Sequence, residues 1–339
     1  MPGSRRAVVT GCAGFIGSWV AEALVAEGFR VLGIDAFKGG RRPEKEANLG
    51  ALAREPRFRL LEDDLLTTDL GRAFRGHPVV IHLAGQPGVR ASFGAGFAGC
   101  AADNLGATQA VLEAARATGA RRVVWASSSS VYGDAAERPC REGAPTRPRS
   151  PYGVTKLACE GLAAIARSGG LSVTGLRYFT VYGPRQRPDM ALRRMCEALA
   201  GGPAFPLLGD GGQSRDVTHV TDAAEATVRA AMAAEVADVY NVGGGQEASL
   251  AELMAELAAL AGHPVPVLRR DPAPGDVRHT AADTTRARRD LGWRPRVGLR
   301  EGLAGELAWV RARASRFDQV RLIAAEPAPP PEREAALRR

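Results

Sequence analysis

A strand, a glycine-rich turn and a helix open the chain, and this combination restricts its fold more than any other feature. Residues 6–10 (Arg-Ala-Val-Val-Thr) are typical of a buried parallel strand. Gly11, Gly14 and Gly17 follow, and residues 18–28 have apolar positions at helical spacing. Glycines permit a tight turn and a close backbone approach, and a helix N-terminus favours negative charge. The segment therefore predicts a dinucleotide site at the edge of a parallel sheet.

The next predicted strand supports that site and favours one cofactor. Residues 29–34 are mostly apolar and end in Asp35, which lies about 20 residues after the turn. A carboxylate there accepts hydrogen bonds from an adenosine ribose, which favours NAD over NADP. Lys38, Arg41 and Arg42 follow closely, so a 2′-phosphate remains open as an alternative.

Tyr152 and Lys156 form the second notable pattern. Only three of the 45 basic residues are Lys, and one of them falls four residues after this Tyr. On a helix, positions i and i+4 share a face, so the ammonium can lie near the phenol oxygen and favour its ionised form. An isolated pair of this kind is more often an ordinary surface pair. Together with the dinucleotide turn, it indicates a general base or acid.

With its G-x-x-G-x-x-G spacing and this pair, the chain resembles the extended short-chain dehydrogenase/reductase (NAD-dependent epimerase/dehydratase) family over roughly residues 5–312. The resemblance implies an α/β fold, a Rossmann-type doubly wound parallel sheet with a smaller C-terminal α/β substrate lobe. We expect a dinucleotide domain at 1–180, a nucleotide-sugar lobe at 181–315 with crossings between them, and a Pro-rich tail at 316–339. The residues that the resemblance assigns to NAD are Gly11, Gly14, Phe15, Ile16, Gly17, Asp35, Lys38, Asp64, Leu65, Leu83, Ala84, Gly85, Asn104, Tyr152, Lys156 and Tyr178.

The serine cluster after the predicted fifth strand bears on the reaction. In the family, a Ser or Thr three places before the V-Y-G sequence joins the Tyr and Lys in catalysis, and that position is Ser128. Related dehydratases carry an acidic pair in the next two positions, and UDP-glucuronate decarboxylases carry Glu directly before V-Y-G. This chain has Ser129 and Ser130 there. Without those carboxylates, reversible oxidation and reduction of the sugar is the expected chemistry.

Residues 176–191 and 88–92 resemble the UDP-glucuronate 4-epimerases, whereas UDP-glucose epimerases have Asn in place of Thr180. We therefore expect interconversion of UDP-glucuronate and UDP-galacturonate through a 4-keto intermediate. UDP-glucose 4-epimerase and UDP-glucuronate decarboxylase remain alternatives, and a noncatalytic NAD-responsive protein would be expected to lack the catalytic set. A uronate carboxylate calls for an Arg with hydroxyl donors nearby. The predicted substrate contacts are Arg90, Ser128, Ser129, Thr180, Arg187, Arg215, Asp276 and Arg278.

Composition excludes several other classes. The net charge is +8, but the Arg residues are spread along the chain, so we expect no nucleic-acid partner. The sequence contains no apolar run that could span a bilayer and no signal-peptide core, which predicts a cytoplasmic protein. Five Cys without C-x-x-C spacing give no metal signature. The family resemblance also implies a homodimer formed through helices at 104–118 and 152–167.

Overall fold

The computed structural model describes residues 5–39, 42–135, 137–271 and 277–324, and the side chains of 315–324 are not described. The strands are β1 (Arg6–Thr10), β2 (Arg30–Asp35), β3 (Phe58–Glu62), β4 (Val79–His82), β5 (Arg122–Ser128), β6 (Val173–Tyr178), β7 (Thr180–Tyr182), β8 (Phe205–Leu208), β9 (Ser214–His219), β10 (Val239–Val242), β11 (Glu247–Ser249), β12 (Val267–Arg270) and β13 (His279–Thr280). The helices are α1 (Phe15–Ala26), α2 (Arg42–Asn48), α3 (Leu70–Phe74), α4 (Gly96–Ala101), α5 (Ala107–Ala117), α6 (Pro151–Ser168), α7 (Ala191–Leu199), α8 (Val220–Met232), α9 (Leu250–Ala261), α10 (Thr285–Leu291) and α11 (Leu299–Ala324).

The central sheet has seven strands in the order β3-β2-β1-β4-β5-β6-β10, and each neighbouring pair is parallel. The chain proceeds outward from β1 in one direction through β2 and β3, and in the other direction from β4 onward. This reversal leaves a crevice at the carboxyl ends of β1 and β4, which is where ligands bind in sheets of this kind. The predicted doubly wound Rossmann-type fold is confirmed.

Helices cover both faces of the sheet, which explains why its strands are so apolar. On one face, α1 and α8 share a buried cluster that includes Val20, Leu24 and Ala226. On the other face, α3, α5 and α6 pack in a second cluster that includes Val111 and Cys159. Apart from the edge strand β3, whose residues are half-buried or exposed, the sheet is therefore buried on both sides, and the carboxyl ends of its central strands face the crevice.

The smaller lobe, which the sequence analysis predicted to bind substrate and which is called the substrate lobe below, is built around β9. This strand pairs in parallel with β7 and β13 and antiparallel with β11. A separate buried cluster joins α7, α9 and α11 to these strands. Strand β10 pairs with β6, so the chain returns to the dinucleotide lobe after residue 181. Helix α11 continues to Ala324, beyond the expected start of the tail at residue 316. Within the described ranges, we found no helix both long and apolar enough to cross a membrane.

Glu306 of α11 is fully buried beneath the turn after β7, and its ionisation makes the stability of the fold depend on pH. Its Oε2 accepts a hydrogen bond from the Gly183 N–H at 3.2 Å, while Oε1 has no partner among the described residues. Burial raises the pKa of this carboxyl to about 8. Between about pH 4.5 and about pH 8 the folded state therefore keeps a proton that the unfolded state has released. The stabilisation is complete below that window and is lost as the pH rises through it.

We expect Glu306→Gln to remove this loss, because an amide cannot ionise. Urea denaturation between about pH 5 and about pH 9 should show a smaller decline in the free energy of unfolding for the variant than for the wild type. Parallel pH profiles for the two proteins would contradict the assignment.

Candidate active site

A cleft of about 960 Å³ lies over the carboxyl ends of the central strands and extends to the substrate lobe. The predicted site residues that line it are Gly11, Gly14, Phe15, Ile16, Gly17, Asp35, Lys38, Asp64, Leu65, Leu83, Ala84, Gly85, Ser128, Ser129, Tyr152, Lys156, Tyr178, Thr180, Arg187 and Arg215. These residues come from distant parts of the chain, and the sheet topology brings them to one surface.

The glycine turn has the shape needed for a pyrophosphate. Gly11 has a φ of +71°, and a Cβ there would lie 2.7 Å from the Ala84 nitrogen. A Cβ on Gly17 would overlap the Gly11 carbonyl oxygen, so the helix could not pack against the turn. Gly14 caps α1 without a side-chain hydrogen bond, and the first turn holds no acidic residue. The N–H groups at this helix N-terminus are thus available to an anion, and the turn fits a dinucleotide.

Asp35 lies at the end of β2 with both carboxylate oxygens engaged. Oδ1 accepts from the Phe37 N–H at 2.8 Å and from Lys45 Nζ at 2.9 Å, and Oδ2 accepts from the Ala13 N–H at 3.1 Å. Lys45 also lines the cleft, and the sequence analysis missed it. A signal was present, because Lys45 is one of only three lysines, and the same scarcity singled out Lys156. Asp35 and Lys45 together present an acceptor and a donor to a ribose.

The other cations near this end of the cleft are held by carboxylates. Lys38 Nζ bridges Asp64 Oδ2 at 2.6 Å and Asp103 Oδ1 at 3.0 Å. These hydrogen bonds raise the pKa of Lys38, and the bond from Lys38 lowers the pKa of Asp64. Arg42 is paired with Glu62 and with Glu46. A 2′-phosphate would have to displace these acids, which favours NAD. Arg41, also considered for this role, lies outside the described residues.

The catalytic candidates meet at the start of α6. Ser150 caps this helix by accepting from the Gly153 N–H at 3.1 Å, and Pro151 begins it. Lys156 Nζ lies 5.9 Å from the Tyr152 ring centroid and donates to the Ala126 carbonyl oxygen at 2.8 Å. The bond to β5 holds the ammonium beside the phenol, as the i, i+4 spacing predicted.

Two serines hold the backbone around this group. Ser128 ends β5, and its Oγ accepts from the Ser130 N–H at 3.1 Å. Ser92 Oγ accepts from the Tyr152 N–H at 3.0 Å and donates to the Val89 carbonyl oxygen at 2.6 Å. Ser92 therefore fixes the segment 88–92 to the first turn of α6.

A buried ion pair supports the serine strand from behind. Arg177 Nε and Nη2 donate to the two carboxylate oxygens of Glu160 at 2.8 and 2.7 Å. Ser127 Oγ donates to Glu160 at 2.6 Å, and Arg177 Nη1 donates to the Tyr132 hydroxyl at 2.7 Å. Burial acts to lower the pKa of Arg177, but the hydrogen bonds and charge of Glu160 outweigh it, so that pKa is raised. This network joins β5, β6 and α6 directly beneath the catalytic group.

His82 has a structural role. It is buried, with Nδ1 2.8 Å from Thr10 Oγ1 and Nε2 3.2 Å from Thr108 Oγ1. Burial, and then the charge of Lys156, lower the pKa of His82 to about 3. The ring therefore stays neutral and links β1 to α5.

The predicted sugar contacts lie where the cleft meets the substrate lobe. Ser129 and Thr180 face it from neighbouring elements, and Arg187 enters from the segment after β7. Arg187 makes a bidentate ion pair with Asp189, at 3.0 and 2.8 Å. Arg215 lines the cleft from β9, and its Nη1 donates to the Ser214 carbonyl oxygen. Arg149, which the sequence analysis did not name, also lines the cleft and is paired with Asp134.

Three predicted contacts, Asn104, Arg278 and Arg90, do not line the cleft. The Asn104 side chain lies behind the cleft, where its Oδ1 accepts from the Gln86 N–H and its Nδ2 donates to Thr155 Oγ1. Arg278 pairs with Asp210 on the surface at 2.8 Å.

Arg90 is exposed at the start of a 3₁₀ turn, while its neighbours Val89 and Ala91 line the cleft. Asp276 lies outside the described residues. Tyr178 does line the cleft, but its hydroxyl lies 2.6 Å from Thr227 Oγ1 and is fully buried against α8. These placements depend on loop and helix packing that motif matching does not describe.

Comparison with known proteins gives consistent results. The family model described as the NAD dependent epimerase/dehydratase family matches residues 7–243. The protein named as the uncharacterized UDP-glucose epimerase YtcB of Bacillus subtilis is 38% identical over 309 residues, covering 90% of this chain and 98% of that protein. The crystal structure of UDP-glucuronic acid 4-epimerase from Bacillus cereus, in complex with UDP-glucuronic acid and NAD, has a TM-score of 0.87 and 36% identity and covers 91% of this chain and 99% of the other. MoeE5, solved with NAD and either UDP-glucose or UDP-glucuronic acid, is 40% identical over the same shares, with TM-scores of 0.82 and 0.80.

Proposed function

The chain belongs to the NAD-dependent epimerase/dehydratase family, and from that premise we propose that it is a UDP-glucuronate 4-epimerase, which interconverts UDP-glucuronate and UDP-galacturonate. The observation that carries the proposal is the composition of the catalytic end of the cleft. Ser128, Ser129 and Ser130 line it beside Tyr152 and Lys156.

The positions of the carboxylates in the cleft favour epimerisation over elimination of water. Among the described lining residues, Asp35, Asp63, Asp64 and Asp103 lie at the adenosine end, and Asp189 is paired with Arg187. An elimination of water calls for an additional acid and base beside the sugar, and a serine cluster supplies neither. The serine cluster with Tyr152 and Lys156 is suited to the removal and return of a hydrogen at one carbon.

The roles of the protein groups follow from their positions. Bound NAD supplies the hydride acceptor and later the hydride donor. Tyr152, with the Lys156 ammonium beside its ring, accepts the O4 proton as C4 becomes a ketone, and returns it after the sugar has turned over. Ser128 hydrogen-bonds the reacting oxygen. Because hydride leaves and returns within one cleft, no net oxidation results.

Recognition of a uronate is the finer part of the proposal. A C4 ketone beside the C5 carboxylate makes a β-keto acid, which loses carbon dioxide readily. Hydroxyls from Ser129 and Thr180, with the guanidinium of Arg187, can hold the carboxylate in one orientation and keep the C5–carboxylate bond out of alignment with the carbonyl.

UDP-glucose 4-epimerase is the second candidate, and one observation favours it. Arg187 is already neutralised by Asp189, so a substrate carboxylate would have to replace or share that partner. A neutral hydroxymethyl group at C6 would not compete with Asp189. The two candidates therefore differ in whether the Arg187–Asp189 pair opens when the sugar binds.

A product assay separates the candidates. Purified protein is incubated with UDP-glucuronate or UDP-glucose, and the nucleotide sugars are separated by ion-exchange chromatography. We expect UDP-galacturonate from UDP-glucuronate, and little UDP-galactose from UDP-glucose. A UDP-pentose would indicate decarboxylation, and turnover of UDP-glucose alone would overturn the uronate assignment.

We also propose that the protein forms a homodimer through α5 and α6. One face of α6 carries an exposed stripe at positions four and three residues apart, made of Val154, Ala158, Gly161 and Ile165. Val154 and Ile165 are 50% and 72% exposed, which is unusual for two apolar residues on one helix face. We expect Ile165→Asp to sediment as a monomer and the wild type as a dimer in analytical ultracentrifugation. A monomeric wild type would overturn the proposal.

A further inference from the structure

Residues 183–190, named here the sugar loop, connect the cleft to α1 and α2, the two helices beside the predicted dinucleotide site. The loop follows β7, and Arg187, Pro188, Asp189 and Met190 at its end line the cleft. Its first residues lie against α1, and the helix that follows it, α7, reaches α2. The loop is therefore supported from two sides by the dinucleotide lobe.

Arg185 makes the support on α1. Its Nη1 donates to Ser18 Oγ at 3.2 Å, its Nη2 pairs with Glu22 at 2.8 Å, and its guanidinium lies 4.5 Å from the Trp19 ring centroid. The Trp19 Nε1–H in turn donates to the Pro184 carbonyl oxygen at 3.0 Å. Ser18 directly follows Gly17, so Arg185 contacts the turn of α1 that faces the pyrophosphate position.

The backbone of Arg185 adopts an unusual conformation beside these contacts. Its φ is +74°, in the left-handed region, which side chains with a Cβ seldom adopt. Phe37 is the only other described non-glycine residue with a positive φ. A strained residue of this kind persists where its surroundings hold it, and such residues cluster at ligand sites.

Arg193 makes the support on α2. Its Nη2 pairs with Glu44 at 2.9 Å, and its Nη1 donates to the Gln186 carbonyl oxygen at 2.7 Å. The Gln186 side chain is buried, and its Oε1 accepts from the Arg193 N–H at 2.9 Å. Glu44 is adjacent to Lys45, which donates to Asp35. These contacts connect the sugar loop to Asp35, the carboxylate expected to bind the ribose.

We propose that Arg185 is a positioning residue that couples NAD binding to sugar binding through the sugar loop, with Arg193 as the second support. A dinucleotide on the N-terminus of α1 and on Asp35 fixes the two helices that hold the loop, and the loop then presents Arg187 to the sugar. Linkage makes the effect reciprocal, so a bound UDP-sugar must strengthen the hold on NAD. The inference rests on the proposed function only in placing the sugar beside this loop.

The test measures release of NAD from the holoenzyme, by filtration over time, with and without saturating UDP-glucuronate or UDP-glucose. We expect the sugar nucleotide to slow release from the wild type about tenfold, a typical coupling between sites. In Arg185→Met, which keeps an apolar stem against Trp19, the slowing should fall below about twofold. The KM of the variant should rise about tenfold with little change in kcat, because the chemical groups are intact.

Two further variants keep the result interpretable. Trp19→Phe keeps an aromatic ring beside Arg185 but lacks the indole N–H that donates to the Pro184 carbonyl oxygen, so it should lose part of the coupling even if Arg185→Met folds poorly. Arg300→Met removes an exposed ion pair with Glu256 and should behave as the wild type. Full slowing of NAD release in Arg185→Met would overturn the inference, as would a wild type that turns over its sugar without any slowing. A wild type that acts on neither sugar would instead overturn the proposed function.

Discussion

Tyr152→Phe is expected to lower kcat by about three orders of magnitude, because the variant loses the hydroxyl that we propose takes and returns the O4 proton. The fold should be preserved. The backbone N–H of residue 152 still donates to Ser92 Oγ, and the helix cap at Ser150 does not involve the phenol. Turnover is measured with the sugar nucleotide that the product assay selects, and bound NAD is measured in parallel to show that the cofactor site is intact.

Tyr240→Phe is the matched control for this prediction. Tyr240 is a buried tyrosine of β10, and its hydroxyl accepts a hydrogen bond from the Ala237 N–H at 2.8 Å. Its loss removes one phenol oxygen outside the cleft and should leave kcat within about twofold. Wild-type turnover by Tyr152→Phe would mean that another group moves the proton, and the assigned mechanism would be wrong.

The second large effect is expected on stability. Glu160→Gln should lower the free energy of unfolding by about 3 kcal/mol, because it leaves the Arg177 guanidinium buried without a counter-charge. The Arg177 and Glu160 side chains are only 5% and 16% exposed, so solvent screens the pair weakly. The substitution preserves shape and volume, and the loss therefore reports on charge. Urea denaturation followed by circular dichroism gives the difference.

Glu256→Gln provides the comparison for an exposed pair. Arg300 and Glu256 are 63% and 42% exposed, and such pairs contribute about 0–1 kcal/mol. We expect no more than that from the control. Equal losses in the two variants would show that the Glu160–Arg177 pair contributes nothing beyond an ordinary surface contact. Because the pair lies beneath β5, we also expect Glu160→Gln to lower kcat under conditions in which the variant remains folded.

The positions of the main chemical groups were predictable because each motif is local in the chain. The glycine turn needs three residues at fixed spacing and the start of one helix, and the Tyr152–Lys156 pair needs a single helical turn. The local geometry of the turn and of the helix places these residues on one surface. The parallel sheet followed from the same reasoning, since alternating strands and helices of this kind have few other ways to bury their apolar faces.

The contacts that the sequence analysis missed or misplaced join segments far apart in the chain. Lys45 reaches Asp35 only because α2 folds back over the end of β2. The resemblance assigned Asn104 to the cofactor site as the helix residue that supports the fourth strand, and its side chain holds Gln86 and Thr155 from behind the cleft. No spacing rule distinguishes a side chain that faces a ligand from one that supports the backbone facing it.

The amino-acid sequence is enough to predict the parallel α/β fold, the dinucleotide turn and the Tyr152–Lys156 pair, because local spacing and apolar periodicity fix where these groups lie on one strand or one helix. The pairing of Arg187 with Asp189, and the contacts by which Arg185 holds the sugar loop against α1, depend on the packing of the folded chain. Such partners are chosen by how the two lobes pack, and in a chain with 42 arginines the sequence offers many equivalent candidates. Packing selects among them through burial and distance, and local sequence patterns specify neither.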